Sequence, residues 1–220
     1  MLQNPAEVDQ TIDIIFKICS GVFWTITYLL ILRRGFLDKS YGMPMVALCA
    51  NISWEFIFAF VYPHSKPQLY IDYVWFVFDV GILLQYLAYG RKDFPAALPA
   101  KLFYPTFLLT LSLAALFILF MSWEFEDYNG VYAAFSQNLL MSVLFIQLLL
   151  RRNSHEGQSI YIALSKMVGT LFPSVLLYLY FPDAYLLNLL YVSIFIFDMI
   201  YFILLYFKVK SAGINPWLRL

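Results

Sequence analysis

The sequence predicts an all-α membrane protein: a single domain over residues 1–220 built as a seven-transmembrane-helix bundle, N-terminus outside and C-terminus cytoplasmic. Three observations carry that expectation. Of the 220 residues, 62% are hydrophobic and only 13% charged, more apolar surface than a soluble domain of this size can hide, so lipid is the expected solvent. The apolar residues fall into seven runs near the roughly 20 residues that cross a hydrocarbon core as a helix, which leaves no room for an extramembrane domain. Lys and Arg collect in alternate connections between those runs.

Each run is bounded by charge, proline or glycine. Span one, Ile14–Leu32, follows Asp9 and Asp13 and stops at Arg33-Arg34. Span two, Pro44–Tyr62, lies between two prolines, Pro44 and Pro63. Span three, Leu69–Tyr89, begins after Pro67 and ends before Arg91-Lys92. Span four, Leu102–Ser122, starts at Lys101 and closes before Glu124. Span five, Val131–Leu150, runs from Gly130 to Arg151-Arg152. Span six is Ser159–Tyr180, and span seven, Tyr185–Phe207, ends at Lys208. Backbone polar groups cannot stay unpaired in lipid, and the alternating pattern of a barrel strand is absent, so these runs are read as helices.

The odd-numbered turns hold Arg33, Arg34, Lys39, Arg91, Lys92, Lys101, Arg151 and Arg152, and the tail holds Lys208, Lys210 and Arg219. Lys66 is the one basic residue expected on the other side. The positive-inside rule then puts the tail in the cytoplasm. The start of the chain, from Met1 through Asp9, is acidic where a secretory signal would be basic, so span one is expected to stay in the mature protein. Formal charge is zero and no basic patch interleaves with aromatics, which excludes a nucleic-acid partner. Cys19 and Cys49 lie inside spans, without zinc-ligand spacing, and read as small core residues. A bacterial inner membrane or a eukaryotic endomembrane is the expected location.

Ionisable residues inside spans are costly and mark functional sites. Glu55, Asp79, Lys166 and Asp198 are the informative ones. Counted from the predicted span ends, the three acids fall within roughly 5 Å of the midplane at 1.5 Å per residue, which suggests one shared cavity with Glu55 and Asp198 facing across it. On span two, Leu48, Asn51, Glu55, Phe58 and Tyr62 share a helical face, so Asn51 can orient the acid one turn away. On span three, Asp72, Asp79 and Tyr86 stack at seven-residue intervals beside Trp75; on span seven, Tyr191, Ile194, Asp198 and Tyr201 do likewise. The competing reading makes these carboxyls hydrogen-bonded glue between helices. Lys166, nearer the cytoplasmic end with a stem that can snorkel, reads as structural, and Lys17 with Asp13 reads as an i, i+4 surface pair.

The chain carries 22 Phe, 17 Tyr and 5 Trp. Interfacial belts and packing absorb much of this load. The remainder, beside buried acids, suits carbocation chemistry, because ring faces attract cations without acting as nucleophiles. A carboxyl in a dry, aromatic-lined site favours its uncharged form and is therefore a general acid in waiting. The sequence lacks the Asp-rich clusters of diphosphate-ionising synthases and the DxDD of soluble proton-initiated cyclases. It also lacks a phosphate loop and a His cluster, with His64 and His155 both in turns. Metal-dependent and nucleophilic catalysis are not expected, and no cofactor is implied.

Asn51-Ile52-Ser53-Trp54-Glu55-Phe56, then Tyr62-Pro63, with a lone Asp198 in the last span, resembles the small integral-membrane terpene cyclases of fungal meroterpenoid and bacterial indole-terpenoid pathways. The likeness covers the whole chain in length and span count. It implies seven helices, no metal, and cyclisation of a prenyl chain attached to an aromatic or indole-like head, begun by protonating an epoxide or terminal alkene. It makes Glu55 and Asp198 catalytic. Asn51, Trp54, Phe58, Trp75, Asp79, Tyr191 and Tyr201 are the expected pocket, the last five by their position on the acid-bearing faces. A lipophilic prenylated substrate and membrane lipid are the implied partners.

Three rival classes stand beside this one. A retinal photoreceptor shares the seven-span plan but needs a lysine in span seven, and Tyr185–Phe207 has none. A proton-coupled transporter or channel could use the buried carboxyls as a relay; aromatic walls and the absence of duplicated halves argue against it. A non-catalytic lipid-binding protein is the third.

Overall fold

The computed structural model describes Leu2 and Pro5–Leu220. The reading of the chain's first residues as lacking a signal falls partly on Met1, Gln3 and Asn4, outside the described residues.

Seven long helical segments follow one another: α1 Gln10–Leu37, α2 Met45–Phe56 continued by a π-helical turn Ile57–Val61, α3 Gln68–Tyr89, α4 Phe103–Glu124, α5 Val131–Arg152, α6 Ile160–Tyr180 and α7 Tyr185–Ser211. The described residues contain no strand. Six of these segments are long and apolar enough to cross a membrane, and the second, Met45–Val61, is a shorter apolar helix. At 1.5 Å per residue its 17 residues reach about 25 Å. Prolines set that length. Pro44 opens the helix where a missing N–H costs nothing, and Pro63 removes the donor that would continue it.

Local sequence explains the other ends. Asp9 caps α1, its carboxylate accepting from the backbone N–H of Thr11 and Ile12 at 2.9 and 3.3 Å, and Ser159 caps α6 in the same way. Gly130 before α5 and Asn153 after it both adopt left-handed backbone, which reverses the chain sharply. Pro173 interrupts the hydrogen-bond ladder of α6, and the carbonyl one turn earlier, Gly169, instead accepts from Ser20 Oγ on α1 at 3.0 Å.

The helices close into a ring. Going round it, α1 packs on α6, α6 on α7, α7 on α5, α5 on α2, α2 on α3, and α3 returns to α1; α4 lies outside, against α2 and α5. Leu109, Leu113 and Phe117, spaced four apart on α4, are all exposed, an apolar face that only lipid suits. At the end of the bundle carrying the odd-numbered turns, charges pair off: Arg152 with Asp93 at 2.6 Å, Lys92 with Glu156 at 3.0 Å, and Arg34 and Arg219 both with Asp38. The tail is tied down there, with the Arg33 guanidinium donating to the Leu220 carbonyl. Asp13 and Lys17 form the expected pair at 2.7 Å. Cys49 is buried and Cys19 half-buried, both free thiols.

Candidate active site

Inside the ring lies a cavity of about 260 Å³ walled by α1, α2, α3, α5 and α6. Its lining comes from the N-terminal part of α1 and from the halves of the other helices that lie toward the even-numbered turns. Glu55 is 2% exposed and belongs to this wall. The helix changes to π geometry two residues beyond it, a distortion often found at functional sites.

A hydrogen-bonded chain fixes the carboxyl. Asn51, one turn before Glu55 on α2, donates from Nδ2 to Asp79 Oδ2 at 2.7 Å and to the Tyr28 hydroxyl at 2.6 Å. The Tyr28 hydroxyl donates onward to Glu55 Oε1 at 3.3 Å. Both amide hydrogens of Asn51 are thereby used, which sets the orientation of its side chain. Glu55 Oε2 and Asp79 Oδ1 are buried with no hydrogen-bond partner among the described residues. One oxygen of Glu55 is therefore anchored and the other is free.

Aromatic rings surround that group. Tyr28 meets Trp75 edge to face with centroids 6.2 Å apart, and Trp24 lies 5.7 Å from Tyr28 and 6.5 Å from Trp75. Trp75 is anchored through its indole N–H to Thr25 Oγ1 at 3.2 Å. Trp24, Tyr28, Trp54, Trp75 and Phe135 all face the cavity, with Met141, Leu176 and Leu177 completing an apolar wall. Toward the even-numbered turns the lining becomes polar, with Lys17, His64, Gln68, Asn129 and Gln137.

The expected residues divide. Asn51, Trp54, Glu55 and Trp75 line this cavity. Asp79 is fully buried behind Asn51, one bond removed. Phe58 is buried and packs on Trp54, centroids 5.0 Å apart, as support for the wall. Asp198 and Tyr191 line a different cavity, about 380 Å³, between α6 and α7. Tyr201 lines neither and packs on Phe145. The expectation that Glu55 and Asp198 face each other across one cavity is thus corrected. The two cavities share Thr170 in their walls, and Asn138 on α5 donates to its hydroxyl at 2.8 Å.

Asp198 is 1% exposed and pairs with Lys166, fully buried, whose Nζ lies 2.7 and 3.0 Å from its two oxygens. Lys166 also donates to Ser142 Oγ at 2.7 Å and lies 5.9 Å from the Trp24 ring centroid. The snorkelling expected of Lys166 does not occur. A residue of opposite charge on the neighbouring helix offsets part of the cost of the inward position.

Sequence reasoning missed Tyr28, Trp24 and His64. The first two had a legible signal: Lys17, Trp24 and Tyr28 fall on the stripe that Ser20 and Ile31 continue, at helical spacing. His64 had none, because it sits in a turn and reaches its partners only through the fold.

Residues 1–211 match the family model of the Pyr4-like transmembrane terpene cyclases. The Pyr4-family terpene cyclase mfmH of Annulohypoxylon moriforme is 34% identical over 189 residues, covering 82% of this chain and 77% of that one. The terpene cyclase andB of Emericella variicolor is 27% identical, covering 77% and 72%. Asnovolin H synthase nvfL of Aspergillus novofumigatus is 25% identical, covering 76% and 71%.

Proposed function

The chain belongs to the Pyr4-like transmembrane terpene cyclases, and from that premise we propose that it protonates the terminal alkene or epoxide of a prenyl chain and guides the resulting cation to a ring. The prenyl chain is carried on an aromatic or indole-like head, of the kind met in meroterpenoid biosynthesis. Glu55 is the initiating acid. The observation that carries this reading is the asymmetry of its carboxyl: Oε1 accepts from Tyr28, while Oε2 is unpartnered in the wall of an aromatic cavity.

The proton leaves Oε2 for the substrate carbon or epoxide oxygen. The carboxylate left behind is stabilised by the Tyr28 hydroxyl, itself held by Asn51, so the donors are in place before charge develops. The faces of Trp24, Trp75 and Tyr28 stabilise the migrating cation by about 0.5–2 kcal/mol each without trapping it. Loss of a proton from a carbon beside the final cation to the Glu55 carboxylate gives a cyclic isomer and restores the acid. Asp198 acts through its pair with Lys166, whose ammonium lies 5.9 Å from the Trp24 ring, so its part is to hold that wall rather than to serve as a second proton donor.

The route uses no metal. Among the described residues no three His, Cys, Asp or Glu side chains come together to hold one. Seven spans with the N-terminus outside, in an internal eukaryotic or a bacterial inner membrane, complete the proposal; the charge-paired end then faces the cytoplasm. A proton-coupled transporter or channel is disfavoured because the cavity occupies one half of the bundle only. The test is to incubate purified, detergent-solubilised protein with farnesylated or geranylgeranylated aromatic compounds and their terminal epoxides. A cyclic isomer of unchanged mass, formed without added metal, supports the reading; recovery of substrate alone overturns it.

A further inference from the structure

The turn joining α4 to α5 crosses the polar end of the Glu55 cavity, and two side chains from outside α4 and α5 fasten it. Trp54 Nε1 donates to the Gly130 carbonyl at 2.9 Å, and His64 Nε2 lies 3.0 Å from the preceding carbonyl, Asn129. The other ring nitrogen of His64 lies 2.7 Å from Asp72 Oδ2, and Gln68 donates to Asp72 Oδ1 at 2.8 Å. The imidazole stacks on Phe58 with centroids 5.2 Å apart and planes 14° from parallel, and lies 5.6 Å from Trp54. Gly130 rests directly on these rings: its φ is +62°, and a Cβ there would run into Phe58 and Trp54.

The Asn129 carbonyl can only accept, so Nε2 must carry hydrogen. The contact with Asp72 then takes a second proton, on the ring or on the carboxyl. His64 is thus tied at both ends, to α3 and to the turn. Trp54, held by the same turn, is next to Glu55 in the chain, and Trp54, Glu55, His64 and Asn129 line one cavity.

Building on the cyclase reading, we propose that His64 is a positioning residue: clamped between Asp72 and Asn129, it seats Trp54 and the 127–131 turn as a cover that keeps water from the cation formed at Glu55. The chemistry makes this a matter of product identity. In a dry cavity the cation loses a proton from an adjacent carbon to the Glu55 carboxylate and the product is an isomer. If water reaches it, water adds to the cation, its extra proton passes to the same carboxylate, and the product is an alcohol heavier by one water.

The ratio of water-trapped to isomeric product, read by mass spectrometry, tests the clamp. His64→Phe keeps the ring on Phe58 but drops both hydrogen bonds, of which the one to Asn129 holds the turn; the water-trapped share should rise about tenfold, the factor expected for losing that one bond. Gly130→Ala lifts the turn off the same rings and should shift the ratio the same way. Asp72→Asn retains an acceptor for Nδ1–H and should shift it less. Reduced yield at the wild-type ratio in both His64→Phe and Gly130→Ala would make the contacts merely structural and overturn the clamp alone. No cyclic product from the wild-type protein would overturn the cyclase reading and the clamp with it.

If the variants do not accumulate, the wild-type protein serves. Burial opposes charge on His64, but its bond to Asp72, the Asn129 carbonyl and the nearby Asp127 outweigh this and raise its pKa above the ordinary histidine value. Glu55 from α2 and Lys17 and Tyr28 from α1 are the other charged or titratable groups facing the cavity. The clamp is complete below that pKa and loses a bond above it, so the water-trapped share should climb as pH rises past it; a flat ratio overturns the proposal.

Discussion

Lys166 reaches both carboxylate oxygens of Asp198, at 2.7 and 3.0 Å, where neither side chain meets solvent. Taking away one partner leaves a buried charge uncompensated, which costs about 3–5 kcal/mol, whereas replacing both with apolar residues of similar volume is often neutral. Lys166→Met and Asp198→Leu should each lower the thermal midpoint in detergent, and the double variant should recover most of it. If the double variant is as unstable as the sum of the singles, the pair is not the unit that matters. Recovered stability without recovered turnover would assign the Lys166–Asp198 pair a part in the reaction beyond packing.

Glu55→Gln should abolish cyclisation and leave the protein folded. The amide keeps the shape and the acceptor for Tyr28 but delivers no acidic proton, and loss of one positioned general acid costs about 10²- to 10⁴-fold in rate. Product formation near the wild-type level, measured by chromatography on matched amounts of protein, would remove Glu55 as the initiating acid.

Tyr28→Phe isolates the support of the carboxylate. The ring and its contacts with Trp24 and Trp75 stay, while the hydroxyl's two bonds go: the one it donates to Glu55 Oε1 and the one it accepts from Asn51. A hydrogen bond to a charged group contributes about 1.5–3 kcal/mol, so turnover should fall about tenfold to a hundredfold. Substrate affinity should change little, because the bond strengthens only as the proton leaves. A rise in KM with unchanged kcat would place Tyr28 in binding instead.

Chelation should leave turnover intact. EDTA-treated protein is expected to match untreated protein in rate and product. Loss of activity that magnesium restores would redirect the assignment to diphosphate ionisation.

Much of the architecture was legible in the linear pattern. Apolar runs between prolines, glycines and charges located the long helical segments, six of them long and apolar enough to cross a membrane, because in lipid a run of that length must satisfy its own backbone and can do so only as a helix. The face carrying Asn51 and Glu55 was equally legible, since helical periodicity alone puts residues four apart together. Both follow from interactions along one segment. What periodicity cannot say is which face meets which across the bundle. Asp198 sits on an acid-bearing stripe much like that of Glu55, yet helix packing turns it toward Lys166, 32 residues away, and a separate cavity. Tyr28 joins Glu55 from 27 residues away, and His64 reaches Asn129 across 65. The sequence by itself determined a membrane bundle with acids buried on aromatic faces. Only the closing of six helices into a ring decided which acid has a free oxygen in an aromatic cavity and which is held by a salt bridge. Hydrogen bonds and ion pairs act over a few ångströms, and only tertiary packing brings residues so far apart in the chain within that range.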